Sequence, residues 1–339
     1  MSGKSPQVQK IVVVCSLTIV AGVFINSWYR TSGLNQDKSL PRSSSNTVPN
    51  TDIESKTKST KCGETDLDFK LSGIETVKSL IGKVSMKFRS RDQVTCLRKN
   101  FTKSKTQLTP DETQRKVECI RNWKRDYKEG LGSFWAGNTQ YIRHNHHTYL
   151  SSDSTVFDIG GNKGEDAEAI VKRYNPGNYV ILEPIKTLYS NLVHMFKSNN
   201  SVLIYNFGLA RKYNKMYVNV VGNGGDATSI FAGNDNGGNC LLRVVNTAHF
   251  LLRIGVPCYE VDLITINCEG CEFEIMEELI DSGMITQFRH VQFATHPTLR
   301  HLQQPVERYC GIQEKLRRTH IISYQYKWCW ESWKRKDLT

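Results

Sequence analysis

Ser154-Thr155-Val156-Phe157-Asp158-Ile159-Gly160-Gly161-Asn162-Lys163-Gly164 decides the fold. A short β-branched and aromatic run enters a glycine turn. An amphipathic pattern follows over 164–174, with Ala167, Ile170, Val171 and Tyr174 on one side. The next apolar run, Asn178-Tyr179-Val180-Ile181-Leu182, ends in Glu183. A strand, a glycine turn, a helix and a second strand closed by a carboxylate form a unit built to hold a nucleotide-like molecule. Glycine lets the backbone approach a ligand without an intervening Cβ, and an acid after the second strand can accept hydrogen bonds from ribose hydroxyls.

The spacing bears on which ligand. A dinucleotide fingerprint, G-x-G-x-x-G, sets a pyrophosphate on the helix N-terminus. Here the pattern is D-x-G-x-N-x-G, and Asp158 would repel a pyrophosphate. A carboxylate there suits a cofactor with a cationic amino-acid end, such as S-adenosylmethionine. The competing reading is a glycine-rich turn without a ligand, which the placed Glu183 weakens.

From 151 onward strands and helices alternate. Strands are expected at 154–159, 178–183, 201–207, 261–267 and 288–295, with a last pair in 320–334. Helices are expected at 164–174, 185–197, 246–254, 271–282 and 302–319. An antiparallel piece over Lys215 to Val221 precedes a glycine-rich loop, Gly222 to Gly238, long enough to be functional. The alternation predicts an α/β fold with a mostly parallel sheet and helices on both faces. Ligands bind at the carboxyl ends of such strands, which gathers Asp158, Glu183, Asn206, Asn267 and His296 around one crevice. Residues 63–150 lack strand alternation and are expected to form a helical N-terminal cap, with Val117, Ile120, Trp123 and Tyr127 on one helical face.

The chain has 339 residues and a net charge of +12. The basic excess concentrates between Lys83 and Lys128. No RNA- or DNA-binding motif accompanies it, so a solvated basic face is expected rather than a nucleic-acid site. Ile11 to Tyr29 is nearly uncharged and just long enough to span a bilayer, which needs about 20 apolar residues. Lys4 and Lys10 precede it, Trp28 and Tyr29 close it, and no small-residue cleavage site follows. The expected layout is a cytoplasmic tail at 1–10, a transmembrane signal-anchor at 11–29, and a disordered Ser/Thr-rich stem at 30–62. A cap at 63–150 and an enzyme domain at 151–339 follow, in the Golgi or endoplasmic reticulum lumen. A cleaved signal peptide would lead to the same compartment. Cysteine usage fits an oxidising lumen. Cys15 lies in the apolar run. The others, Cys62, Cys96, Cys119, Cys240, Cys258, Cys268, Cys271, Cys310 and Cys329, form an odd set that leaves at least one thiol unpaired or paired between chains. Asn100-Phe101-Thr102 and Asn199-Asn200-Ser201 are glycosylation sequons.

With these elements in place, three stretches resemble the FkbM family of S-adenosylmethionine-dependent methyltransferases. They are Val156 to Gly164, similar to D-x-G-A-N-x-G; Val180-Ile181-Leu182-Glu183-Pro184; and Asp262-Leu263-Ile264-Thr265-Ile266-Asn267-Cys268-Glu269-Gly270-Cys271-Glu272, similar to D-L-L-K-I-D-V-E-G-x-E. The likeness covers roughly 151–300, and the anchored, cysteine-containing form is similar to animal methyltransferase-like members. It implies a Rossmann-like class I methyltransferase fold. By position, Asp158, Gly160, Gly161, Asn162 and Gly164 would surround the methionine end of the cofactor, Glu183 would hold the ribose, and Asn206 would lie near the adenine. Asn267 stands where the family usually has Asp. If that acid is a base in relatives, it is lost here; if it positions a substrate, Asn can still do so.

Family members often methylate hydroxyls on sugars or polyketides, so the expected reaction is O-methylation of a glycan or other small hydroxylated acceptor. The candidate bases are His296, which follows the strand ending at Thr295, and Glu269 beside Asn267. Both also have structural readings, His296 as a strand-end cap and the acids as partners of a helix dipole. No metal is expected. Cys268-Glu269-Gly270-Cys271 lacks a second C-x-x-C for zinc, which favours packed thiols or a disulfide. His144-Asn145-His146-His147 is expected to be an exposed loop cluster. Two rival functions remain. One is a Golgi glycosyltransferase, whose D-x-D triplet would have to be Asp66-Leu67-Asp68 at the stem boundary. The other is a non-catalytic lumenal binding protein on a methyltransferase scaffold.

Overall fold

The computed structural model describes residues 107–339, except 223, 224, 226, 232–237, 239, 257 and 258. The expected anchor, stem, Asp66-Leu67-Asp68 triplet and first sequon lie outside these residues. Among the described residues no helix is long and apolar enough to cross a membrane.

Helices α1 (Pro110–Ala136) and α2 (Thr139–His144) come first. They are followed by β1 (Thr155–Ile159), α3 (Glu165–Tyr174), β2 (Asn178–Leu182), α4 (Lys186–Met195) and β3 (Val202–Tyr205). Three further strands come next, β4 (Gly208–Ala210), β5 (Asn214–Val218) and β6 (Cys240–Asn246). The chain continues through α5 (Thr247–Arg253), β7 (Val261–Ile266), α6 (Cys271–Asp281), β8 (Phe288–Ala294), α7 (Pro305–Leu316), β9 (His320–Tyr326) and β10 (Trp330–Arg335).

The main sheet has seven strands in the order β3-β2-β1-β7-β8-β10-β9. All neighbouring pairs are parallel except those made by β10, which runs against β8 and β9. This is the Rossmann-like, mostly parallel sheet that the alternation predicts. β1 sits where the chain, having stepped outward to β2 and β3, returns to lay β7 on its other side. That switch point opens a crevice beyond the strand ends.

Period-2 alternation sends the two faces of each strand into different cores. Val156, Tyr179 and Ile181 meet Ala167, Ile170 and Leu192 of α3 and α4. Phe157, Ile159, Val180 and Leu182 meet the larger core of α5, α6 and α7, which includes Phe273, Met276 and Trp328. Helices therefore cover both faces, and the strands read as continuous apolar runs because neither face is wet.

The helical N-terminal segment is sewn onto the reversed edge of the sheet. Thr109 and Glu112 form a capping box with Pro110 at the first turn. Arg318 grips Glu112 with two guanidinium nitrogens, at 2.8 and 2.7 Å. Arg318's hydrogen bond holds the Glu112 carboxyl down at about 2 against an opposing burial effect. A Cys119–Cys310 disulfide ties α1 to α7. Trp123 meets Trp328 edge-on at 5.9 Å. Ile120, Trp123 and Tyr127 pack against the core as expected, but Val117 is half exposed. The buried stripe passes through Glu112, Asp126, Gly130 and Phe134 and leaves Val117 outside it. Gly130 is required there, because a Cβ would run into the carbonyl oxygen of Lys327 in the β9–β10 turn.

The sequence reading missed β6. It pairs with β4 in parallel and β5 in antiparallel, making a separate three-stranded sheet. Alternating burial of Cys240, Leu242 and Val244 was the available signal.

Candidate functional site

The turn after β1 owes its path to three left-handed residues, Gly160 (φ +91°), Asn162 (+48°) and Gly164 (+86°). Asn tolerates that region better than other non-glycine residues, which accounts for the spacing G-x-N-x-G. The Gly160 amide donates to the Leu182 carbonyl at 2.9 Å, pinning the turn to the end of β2. No side chain fits at 160, where a Cβ would strike the carbonyl oxygen of Asn267.

Glu183 is the keystone of the crevice. One carboxylate oxygen accepts from the Asn162 amide and the other from the Ile185 amide, each at 2.8 Å. Glycine turn and acid are thus one hydrogen-bonded unit. Burial pushes the Glu183 carboxyl up to about 7, against the two amides that favour its charge.

The crevice encloses about 70 Å³. Gly160, Asn162 and Glu183 line it on one side and Asn267, Cys268, Glu269 and Cys271 on the other. Ile185, Leu188, Leu242 and Val244 supply apolar walls, and Gly225, Thr228 and Ile230 of the glycine-rich segment also line it. Sequence reasoning named the acid and the glycines but missed the apolar walls, which come from α4 and the unforeseen small sheet.

Five expected residues, Asp158, Gly161, Gly164, Asn206 and His296, do not line this crevice. Asp158 lies on the opposite side of β1 from Ile159, within the α3 face of the sheet. It is 4% exposed and accepts a hydrogen bond from the Tyr179 hydroxyl at 3.0 Å. Burial, then the nearby charge of Asp166, raise its carboxyl to about 7. Strand alternation is the reason: adjacent residues of β1 cannot both face the crevice. Asn206 spends its amide on the carbonyls of Glu183 and Pro184, at 2.9 and 3.0 Å, and so shapes the turn after β2. Gly161 and Gly164 pack against Leu192 of α4.

His296 is the fifth. Its Nδ1 lies 2.6 Å from Glu272 Oε1 and its Nε2 3.3 Å from Glu269 Oε1. Burial works against the charged imidazole, but Glu272 and then Glu269 outweigh it and push the group up to about 9. At neutral pH the ring is therefore an imidazolium with no free lone pair, which argues against a resting general base. Glu272 also accepts from the amides of Cys268 (3.3 Å) and Gly270 (2.7 Å), closing the turn at the start of α6. Glu269 is the carboxylate that reaches the crevice itself.

The histidine cluster departs from expectation in part: His146 is exposed, but His144 is half-buried and His147 is buried. His147 is 1% exposed, its ring bonded to the Tyr149 hydroxyl and the Arg143 carbonyl. Burial lowers it to about 4. His144 and Arg143 both hold Asp166, and His146 packs on Tyr141 and Tyr324. The cluster fastens α2 to α3 and the sheet. Among the described residues no group of three or more His, Cys, Asp or Glu is arranged to hold a metal ion.

No protein-family model matches the chain, and no curated protein matches it. Among solved structures it is similar to the methyltransferase FkbM from Methylobacillus flagellatus KT, at 9% identity and a TM-score of 0.40, over 78% of this chain and 58% of that one. It is similar to the N-terminal domain of human METTL16 in complex with SAH, at 11% identity and a TM-score of 0.27, over 74% and 96%. It is also similar to the plantazolicin methyltransferase BpumL in complex with SAH, at 12% identity and a TM-score of 0.22, over 72% of each. The chain thus spans about 58% of the length of the FkbM structure. At these distances the fold rests on the strand order and the crevice on its own geometry.

Proposed function

We propose that this chain is an S-adenosylmethionine-dependent methyltransferase acting on a hydroxyl of a glycan or glycoconjugate. The observation that carries the reading is Glu183, fixed by the amides of Asn162 and Ile185 at the mouth of a left-handed glycine turn. A carboxylate with apolar walls beside it suits a ribose carrying a flat base. The first turn of α3 holds Glu165, Asp166 and Glu168, a poor seat for a pyrophosphate and a tolerable one for a cationic amino-acid end. Gly225, Thr228 and Ile230 of the glycine-rich segment also wall the crevice.

The bound cofactor would supply an electrophilic methyl group on a sulfonium. The chain's part is then to orient the acceptor and take its proton. Glu269 is the crevice carboxylate placed to accept that proton, with His296 Nε2 at 3.3 Å to stabilise its charge. Asn267 lines the same wall and positions rather than deprotonates, since a carboxamide is not a base. The lumenal setting is supported by the apolar run at 11–29 and by disulfide bonding of Cys119, Cys310, Cys268, Cys271 and Cys240.

Calorimetric titration of the full chain with S-adenosylmethionine and S-adenosylhomocysteine tests the cofactor. Saturable binding that Glu183→Gln weakens supports it, and a panel of hydroxylated glycans with labelled methyl donor then tests the acceptor. A folded chain that binds neither compound sinks the reading. Binding without transfer to any acceptor would favour the non-catalytic alternative, for which Asn267 in place of an acid is the supporting feature.

A further inference from the structure

Cys268 and Cys271 are joined by a disulfide, and both residues line the crevice. The bridge links the loop after β7 to the first residue of α6, an 11-residue helix. It closes a loop with a sequence separation of only 3, whereas Cys119–Cys310 has a separation of 191 and clamps two helices together. The constraint that a crosslink places on the unfolded chain grows with loop length. The short bridge therefore adds little to global stability, and its cost of opening is correspondingly small.

What the short bridge does set is local. The two residues inside it, Glu269 (φ +53°) and Gly270 (φ +105°), are both left-handed. That region is unfavourable for glutamate and persists only where the surroundings impose it. The Ser229 hydroxyl donates to the Glu269 carbonyl, and a Cβ on Gly270 would collide with Phe231 and Leu299. The turn is thus packed against the glycine-rich segment on the crevice wall.

The two sulfurs are not equivalent. Cys268 is half-buried, while Cys271 is 9% exposed and sits at the helix N-terminus. Amides at a helix start stabilise a thiolate. The geometry points to a thiol–disulfide exchange site at Cys268–Cys271, with a dithiol as its substrate, whose opening loosens the crevice wall around Glu269. A thiolate of the dithiol attacks Cys268 Sγ, forming a mixed disulfide and releasing Cys271 as the thiolate. The second thiol of the reductant then attacks its own bridged sulfur, forming the cyclic disulfide and releasing Cys268. Two electrons and two protons pass from the dithiol to the cysteine pair, and the reverse reaction with an oxidised dithiol restores the bridge. This exchange does not depend on which ligand the crevice takes.

The test is stepwise reduction of the full chain with dithiothreitol, followed by alkylation and peptide mass spectrometry, with circular dichroism recorded on the same samples. Cys268 and Cys271 are expected to be half reduced at a dithiothreitol concentration at least about 100-fold below that required for Cys119–Cys310, with the spectrum unchanged. Opening of both bridges together, or only on unfolding, overturns the proposal. The direction of attack is read from single variants given oxidised glutathione. Cys271→Ser, which leaves Cys268 free, should take up glutathione, and Cys268→Ser should not; the opposite pattern overturns the assigned order. Amide hydrogen exchange over 267–272 should accelerate on selective reduction, and unchanged exchange refutes the link to the crevice wall.

Discussion

Nδ1 of His296 lies 2.6 Å from Oε1 of Glu272, an acid that also closes the turn before α6 through two backbone amides. The imidazolium is therefore part of the turn's architecture, and the proton it holds is linked to folding. Its pKa is raised above the unfolded value, to about 9. The stabilisation is complete below pH about 6.5 and disappears as pH rises through about 9. His296→Gln should lower stability by roughly 2 kcal/mol at pH 6. The gap to the parent protein should narrow steadily toward pH 10. Thermal melts of both proteins across that range check this, and a gap that does not vary with pH would show that His296 is neutral in the fold.

Asp158 gives the opposite kind of test. Its carboxyl is raised to about 7 by burial and by Asp166, so the parent protein is favoured at low pH and loses stability as pH rises through about 7. Asn at 158 does not titrate and can still accept from the Tyr179 hydroxyl. Asp158→Asn should therefore be more stable than the parent by roughly 2 to 4 kcal/mol at pH 8, with the gap closing toward pH 4. Because Asp158 does not line the crevice, affinity for S-adenosylmethionine should stay within about threefold. A large loss of affinity in a folded variant would restore it to the binding surface.

Glu183 should make cofactor binding pH-dependent. The free protein holds its carboxyl at about 7, and ribose hydroxyls donate best to the ionised form. Affinity should tighten by up to roughly tenfold between pH 6 and pH 8. Glu183→Gln should weaken binding at pH 8 by about 10- to 100-fold and flatten the profile. Calorimetry at several pH values decides it.

Two neighbouring helix glycines separate propensity from packing. At Gly130 a Cβ would enter the Lys327 carbonyl, while at Gly132 nothing lies within 4 Å. Gly132→Ala should stabilise by about 0.5 to 1 kcal/mol, since glycine is the poorer helix former. Gly130→Ala should destabilise by roughly 2 to 4 kcal/mol, because the hairpin backbone must move. Urea denaturation of both variants measures the contrast.

Much of the fold was legible in the sequence because it follows from local rules. The parallel strands carry apolar runs wet on neither face, and the helices between them carry a 3.6-residue stripe. Gly160, Asn162 and Gly164 announce a turn that few other residues could adopt. What escaped was non-local. β6 follows a glycine-rich stretch, so its pairing with β4 and β5 became visible only when the chain had folded back on itself. The side of the sheet that receives Asp158 depends on the pleat of β1, where a one-residue step exchanges crevice for core.

The amino-acid sequence by itself determined the strands of the main sheet and the helices between them, the glycine turn and the acid at its far side, because each is set by residues within a few positions of one another. Tertiary structure alone decided that Glu183 is tied to the Asn162 amide, that His296 is held between Glu272 and Glu269, and that Cys268–Cys271 faces the crevice. The first two pairings join residues from separate loops, and the third is placed by the packing around its turn; charge, burial and reactivity at a site come from what the fold brings within a few ångströms.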